Sequence, residues 1–462
     1  MSSPASEAPE NRQPTGPHDR NVRAELPQNI LAGLTVSFAA ISLGAAFGLQ
    51  SGRDNGIVIG ILSAGLIAFV TSLLGGTRIQ CSGPTAPMTT VTMTVWAAAT
   101  GVLAAQLTSV GYTPDHFMTV VLLMTAAMLL LMAVLRLGRF IQLVPVVVIS
   151  GFMNGIAILI WVGEGKKLFG LGGVEAYAGG MAANVWVALI TLVLLFVLPK
   201  VIDKTLPKFR SFLPGTLITI IAMTAGVHAI GLGIETPTLS GIKSVGDLVD
   251  LASKQIPGSV DVGVLWAALP FALNLTLLAY LDTLLTSLVV DKKVEEIFGY
   301  EDKTLQNKEL FAQAVANGLV AFIGGIPGAQ ATIRSVLILK ENATLRLAGI
   351  LSGAFVIVEM LMFQDLVSYI PKAVFAGLLI KVGYDVMDWG PLVTWAREQL
   401  KKVPEPKVPG IDMFFIAGTT IVTVVVNLNV AVLGFTVLFY VMARFIPSLH
   451  DIPAETSEGL ED

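Results

Sequence analysis

The sequence predicts an all-α polytopic membrane protein of fourteen transmembrane segments in a seven-plus-seven inverted repeat, with the third and tenth segments broken into half-helices. Three observations predict it. Of 462 residues, 54% are hydrophobic and 13% are Asp, Glu, Lys or Arg, with a mean hydropathy of +0.76; soluble domains carry about 25% charge. Fourteen apolar runs, two of them short, can be laid along the chain, where a span needs roughly 20 apolar residues. Two of the runs are interrupted alike: Gly75-Gly76-Thr77-Arg78-Ile79-Gln80-Cys81-Ser82-Gly83-Pro84-Thr85-Ala86-Pro87-Met88, and Gly324-Gly325-Ile326-Pro327-Gly328-Ala329-Gln330-Ala331-Thr332-Ile333-Arg334. Each is a Gly-Gly pair, a short Pro/Gly stretch and a brief apolar helix. Gly75 and Gly324 stand 249 residues apart, about half the chain, and matched breaks in two halves point to a transporter's binding site.

Taken in order, residues 1–25 are polar and rich in Pro, Ser and Glu, lack the apolar stretch of a signal peptide, and read as a disordered cytoplasmic tail. The first repeat, 26–235, holds segments at 29–50, 56–74, 84–101, 117–135, 141–162, 183–199 and 212–232. The second, 260–447, holds segments at 264–290, 310–324, 329–340, 345–362, 367–386, 411–427 and 429–447. Residues 448–462 form a short acidic tail. With the N-terminus inside, the inside loops and tails carry 21 Lys and Arg, the outside loops carry 5, and Arg334, Lys372 and Lys381 fall within spans. That bias fits both termini on the cytoplasmic side of the cell (inner) membrane. Seven segments per half is an odd number, so the halves are inverted relative to each other.

Other chemistry finds little support. One cysteine, Cys81, excludes a disulfide framework, and four scattered histidines argue against a metal enzyme. No phosphate-binding loop, His-Glu-x-x-His pattern or nucleophile elbow is present, so no enzyme and no cofactor is expected. The loop Lys and Arg residues read as topology signals, not as a nucleic-acid surface. Gly151 and Gly155 have the spacing of helix packing.

A helix that starts at membrane depth presents free N–H groups and roughly half a positive charge at its N-terminus. Two such ends facing each other suit a small anion. Pro84 is expected in the first turn of the first half-helix, with Thr85 and Ala86 at the same start, and Thr85 and Thr332 as hydroxyl donors. Asp282 is the lone carboxylate in the run from Leu269 to Val290. A mid-membrane Asp costs about 2.5–3.5 kcal/mol on insertion scales, so it marks a functional position. Thr286 lies one turn on, and with helix-end carbonyls these oxygens suit Na⁺. A structural bond to a neighbouring helix and a protonatable Asp are the other readings. Arg334 either strengthens the field at the anion or pairs with a carboxylate. Phe47, in the first segment, is a candidate wall.

At these residues the chain is identified as a member of the SulP family of anion transporters. The resemblance covers residues 26–447 and is carried by Ser82 to Met88, by Leu281-Asp282-Thr283-Leu284-Leu285-Thr286-Ser287-Leu288, and by Gly324 to Ala329 leading to Thr332-Ile333-Arg334. It implies a core domain that carries the substrate, a gate domain that dimerises, and elevator-like movement of the core. Within the family, Asp282 with Thr286 is most similar to sodium-dependent bicarbonate symporters, where the matching pair binds Na⁺. Positions matching Thr85, Gln330, Ala331 and Thr332 lie at the family's anion and ion sites, which makes Gln330 and Thr332 Na⁺ candidates as well. Many proton-coupled relatives have Glu where this chain has Asp282. The expected function is Na⁺-coupled symport of a small inorganic anion, bicarbonate favoured over sulfate, by a homodimer in the lipid bilayer. The alternatives are an H⁺-coupled sulfate or dicarboxylate carrier and an uncoupled anion channel. A nucleobase transporter is disfavoured, because no carboxylate stands between Ala329 and Lys340. Three departures from the family pattern stand out: no Pro near Ser42, Gln330 in place of Gly, and about fifteen residues after the last segment where most relatives carry a STAS domain.

Overall fold

The computed structural model describes residues 22–445 apart from 54, 173, 206–214, 238–244, 402–407 and 427. The acidic tail and residues 1–21 of the polar tail lie outside the described residues, as do three segments whose charges entered the topology count, 206–214, 238–244 and 402–407.

In chain order the helices are α1 (Val22–Gln50), α2 (Gly56–Leu74), α3 (Ala86–Thr100), α4 (Ala104–Ser109), α5 (Pro114–Val134), α6 (Val146–Phe169), α7 (Met181–Thr205), α8 (Gly215–Ile230), α9 (Val245–Gln255), α10 (Val262–Phe298), α11 (Gln306–Phe322), α12 (Thr332–Lys340), α13 (Leu347–Val367), α14 (Lys372–Val386), α15 (Trp389–Lys401), α16 (Gly410–Val425) and α17 (Leu428–Phe445). A 3-10 helix spans Leu137–Leu143, and two short strands, β1 (Ser82–Pro84) and β2 (Gly328–Gln330), complete the described elements. Among the described residues, seven helices are long and apolar enough to cross a membrane, and α8, α16 and the Leu347–Phe363 part of α13 are shorter apolar helices.

Each of the fourteen expected segments overlaps one of these helices, several of which run past the expected bounds. The additions are α4, α9, α15 and the 3-10 helix, which are short and, in α9 and α15, carry one polar face. The tail expected over 1–25 ends earlier, since α1 begins at Val22 and Glu25 sits in its first turn, where it accepts from the Thr344 hydroxyl. The half-helices also differ from expectation. Pro84 is the last residue of β1 and Pro87 takes the first turn of α3; Gly328–Gln330 is strand, and α12 starts only at Thr332. The cause is hydrogen bonding. β1 and β2 pair antiparallel, Ser82 opposite Gln330, Gly83 opposite Ala329 and Pro84 opposite Gly328, so each break satisfies backbone groups of the other where no water is at hand.

The helices pack as two bodies. In the first, α5 lies on α11 and α2 on α13, with α1, α10 and both half-helices against them. In the second, α6 lies on α16 and α7 on α14, with α8 and α17 alongside. Each body mixes elements from both halves of the chain: the strand pair joins the halves in the first, and the α6–α16 and α7–α14 packing joins them in the second.

Two buried charges hold the Gly-Gly turns. Glu309 on α11 is fully buried and accepts from the N–H groups of Gly76 (2.8 Å) and Thr77 (3.0 Å) and from the side-chain amides of Gln80 (2.9 Å) and Gln313 (3.2 Å). Arg53 donates to the carbonyl of Gly324 and to Asp115, with its guanidinium 4.9 Å from the ring centre of Trp96. Ser63 accepts from Ile326 N–H at 2.9 Å, and Asn317 bonds both the N–H (2.8 Å) and the carbonyl (3.0 Å) of Gly328. Replacing Glu309 by Leu would strand the buried N–H groups of Gly76 and Thr77 and remove one acceptor from each of the Gln80 and Gln313 amides, which keep the Thr71 carbonyl and the Ser82 hydroxyl. Each unsatisfied donor costs about 1–3 kcal/mol before relaxation, so Glu309→Leu is expected to lower the thermal midpoint of purified protein by the equivalent of about 3–5 kcal/mol. A midpoint within a degree of wild type would contradict the role given to this carboxylate.

Candidate anion and cation site

The strand pair places the starts of α3 and α12 side by side, and α10 runs past both. Thr85 is the N-cap of α3, in extended conformation (φ −120°, ψ 160°), yet its hydroxyl caps nothing in its own helix. It donates instead to Asp282 Oδ2 on α10 at 2.6 Å. One turn along α10, the hydroxyls of Thr286 and Thr332 share a hydrogen bond of 2.7 Å, and Thr332 is the first residue of α12. Each half-helix start is therefore hydrogen-bonded to α10 through a threonine.

Between these starts and the second body lies a cavity of about 120 Å³. It is too small for an organic ligand of ordinary size, whose pockets run about 300–1,000 Å³. Its walls include Phe47 of α1, Thr85 and Ala86, Asp282, and Ala331, Thr332, Ile333 and Arg334. Met153 of α6 and Val382, Asp385 and Val386 of α14 close it from the other side. The first N–H groups of a helix have no intrahelical partner, and Ala86, Thr332 and Ile333, which carry such groups in α3 and α12, all line this space.

Arg334 is 1% exposed. Its Nη2 donates to the Pro84 carbonyl at 3.0 Å, while Nε and Nη1 are buried without a hydrogen-bond partner. A guanidinium with unused donors in an apolar wall is costly unless a ligand takes them. Gly83 makes room for it: its φ is +156°, and a Cβ there would lie 2.6 Å from Nη1 and 2.8 Å from Nη2. A glycine in the strand is thus what lets the arginine cross close to the backbone.

Of the residues expected at the site, Phe47, Thr85, Ala86, Asp282, Ala331, Thr332 and Arg334 meet around one cavity. Thr286 is one hydrogen bond removed, through Thr332. Gln330 lies elsewhere. It is fully buried behind the strand pair, its Oε1 accepts from the Thr77 hydroxyl at 3.3 Å, and its Nε2 has no partner. In a strand, neighbouring side chains point to opposite faces, so Gln330 and the cavity-facing Ala331 part company. Sequence reasoning missed Asp385. Lys381 bonds both its carboxylate oxygens, at 2.5 and 2.7 Å, and lies 4.8 Å from the ring centre of Phe196. The available signal was a lysine within a span, four residues before an Asp, which is the spacing of a helical ion pair.

Many apolar helices, with two broken segments meeting at one point beside a buried guanidinium, define a membrane transporter. The chain belongs to the sulfate permease family, whose model matches residues 26–403; it is a membrane anion transporter and not an enzyme. The bicarbonate transporter BicA of Picosynechococcus sp. is 28% identical over 430 residues, covering 90% of this chain and 69% of that protein. YvdB of Bacillus subtilis, named for sulfate transport, is 26% identical over 418 residues, covering 88% of this chain and 71% of that one. Among solved structures, the transmembrane domain of a cyanobacterial BicA superposes with a TM-score of 0.70 at 25% identity, covering 89% of this chain and 98% of that one.

Gly83→Ala tests the close approach directly. The added methyl must displace the Arg334 guanidinium or open the strand pair, and overpacking of this kind costs about 1–3 kcal/mol. A fall in thermal midpoint of that size is expected; an unchanged midpoint would mean that the guanidinium has room to spare.

Proposed function

We propose that the protein is a secondary transporter that couples Na⁺ to the uptake of a small inorganic anion, bicarbonate first and sulfate second. The observation that carries the reading is Arg334: buried, with Nε and Nη1 unpartnered, on the wall of a cavity that both half-helix starts also line. An oxyanion lying there takes N–H donors from Ala86, Thr332 and the guanidinium together. Beside it, Asp282 and the hydroxyls of Thr85 and Thr332, with Thr286 hydrogen-bonded behind Thr332, form an all-oxygen set suited to a hard cation. The relative named for bicarbonate transport supports the choice of anion, and the relative named for sulfate keeps the second anion in view.

The energetics favour a coupled cation. A negative cell interior opposes entry of a monovalent anion by about 2.3 kcal/mol per 100 mV. One Na⁺ carried with it cancels that charge and draws on the Na⁺ gradient. The division into two bodies supports an elevator-like cycle, in which the body of α1, α2, α5, α10, α11 and α13 carries both breaks past the body of α6, α7, α14 and α16. On this reading the first body is the core and the second the gate through which a homodimer forms, with both termini on the cytoplasmic side of the cell membrane. The second reading, H⁺ coupling with Asp282 as the proton site, uses the same geometry and differs only in the ion.

Two experiments separate these. In proteoliposomes, uptake of radiolabelled bicarbonate is expected to rise with an inward Na⁺ gradient and to be indifferent to a pH gradient; Asp282→Asn removes the Na⁺ response while the protein stays folded. Arg334→Met is expected to lower Vmax/KM by about 10- to 100-fold, the loss of one or two charge-assisted hydrogen bonds. Wild-type uptake that follows pH and ignores Na⁺ would transfer the reading to H⁺ coupling. Uptake unaffected by Arg334→Met would remove the anion site.

The Lys381–Asp385 pair yields a third expectation. Lys381 neutralises a carboxylate that faces the anion across the cavity. Lys381→Met therefore exposes the anion to an unpaired negative charge and is expected to raise KM about 2- to 5-fold, the range of a half-exposed ion pair. Lys381→Met combined with Asp385→Asn should bring KM back toward wild type. A KM in the double variant as high as in the single one would show that the lysine acts on the anion by itself.

A further inference from the structure

A second cavity, of about 280 Å³, lies between α5, the Leu137–Leu143 3-10 helix, α10 and α17. One side of it belongs to the body that holds both breaks and the other to the opposite body. Its lining is mainly apolar, with Met132, Leu277, Leu281 and Val432 beside the polar Tyr280, Asn429 and Thr436. Phe140, Leu143 and Leu433 at its edge are exposed, so the crevice opens onto the apolar outer surface, which in a membrane-spanning protein faces lipid. Two cations lie on the segment that lines it, Arg136 just before the 3-10 helix and Arg139 within it. Arg136 and Arg139 are both exposed, and the Arg139 guanidinium lies 5.1 Å from the ring centre of Phe140.

We propose that this crevice binds an anionic phospholipid, its acyl chain between α10 and α17 and its phosphate headgroup on Arg136 and Arg139. An apolar lining rejects an inorganic anion, and a soluble partner would have no route through lipid to the opening. Arginines beside an apolar slot at the membrane surface match the two ends of such a lipid, charge to charge and chain to chain.

The position gives the lipid a handle on transport. The 3-10 helix is tied to α10, because the Tyr280 hydroxyl donates to the Leu137 carbonyl at 2.9 Å. It is tied to α11 through Gly138 N–H and Asn307 Oδ1 at 3.0 Å. Tyr280 stands two residues before Asp282 on the same helix. A lipid seated here bridges the helix that carries Asp282 and a helix of the opposite body, and so sets how readily the two bodies move past each other. This consequence rests on the transport reading above; the binding itself does not.

The test begins with binding. Purified protein is titrated with phosphatidylglycerol or with phosphatidylcholine, and retained lipid is counted by native mass spectrometry. Wild type is expected to hold phosphatidylglycerol about fivefold or more tightly than phosphatidylcholine, the preference one or two surface arginines supply. Arg136→Gln with Arg139→Gln should abolish that preference. Leu433→Trp, which fills the crevice, should weaken retention of both lipids, with melting temperature as the control for folding. In proteoliposomes, uptake by wild type should change with the phosphatidylglycerol fraction and uptake by the double arginine variant should not. Equal retention of the two lipids by wild type, or an undiminished preference in the double variant, overturns the proposal. A protein that binds phosphatidylglycerol as described but transports no anion leaves the lipid site standing and removes the transport reading instead.

Discussion

The structure depends on one constraint: a polypeptide that stops being helical inside an apolar layer must still hydrogen-bond its backbone. This chain stops twice, and each stop answers the other through the β1–β2 pair. What the pair leaves open is taken by side chains. Glu309 serves the N–H groups of the first Gly-Gly turn, Arg53 serves a carbonyl of the second, and Asn317 and Ser63 serve the rest. The two turns are thus clamped by charges of opposite sign, each matched to the backbone group that needs it. With the strands pinned, the two half-helices that follow have no choice of origin, and their free N–H ends come to lie against the same small space.

From that placement the electrostatics follow. Two helix N-termini and a buried guanidinium make the cavity attractive to an anion, and Asp282 sits close enough to Thr85 to share its hydroxyl. Neither charge would be stable here alone. An Asp or an Arg in apolar surroundings is tolerated when it is paired or when it serves a ligand. Arg334 Nε and Nη1 have no protein hydrogen-bond partner, and it is on these unused donors that the proposed anion site rests. The wall from the second body brings a further carboxylate, Asp385, already neutralised within its own helix by Lys381, so the charge balance of the space is set by groups on both bodies.

Much of this was legible in the sequence, for identifiable reasons. The apolar runs were readable because a membrane span is long and leaves no room for ambiguity of period, and every expected run overlaps a helix. Asp282 and Arg334 were readable because a charge within such a run is rare. The strand pair was not, since three residues have no periodicity and their partner lies some 250 positions away; hence Pro84 was placed in a helix that begins at Ala86. Gln330 was drawn into the site by the family resemblance at its position, whereas alternation along β2 turns its side chain toward Thr77. Asp385 escaped notice because its partner hides its charge. The short amphipathic helices α9 and α15 fell below the length and apolarity that a span requires.

The central claim is that the two breaks exist to seat an anion against Arg334. The most direct measurement is a cryo-electron microscopy structure of the protein in lipid nanodiscs at saturating bicarbonate, compared with one recorded in an anion too large for a cavity of about 120 Å³. The account predicts density, present only with bicarbonate, within hydrogen-bond distance of the Arg334 guanidinium and of the first N–H groups of α3 and α12. Arg334 Nε and Nη1 bonded to protein groups in both maps, with the bicarbonate density elsewhere, would contradict it.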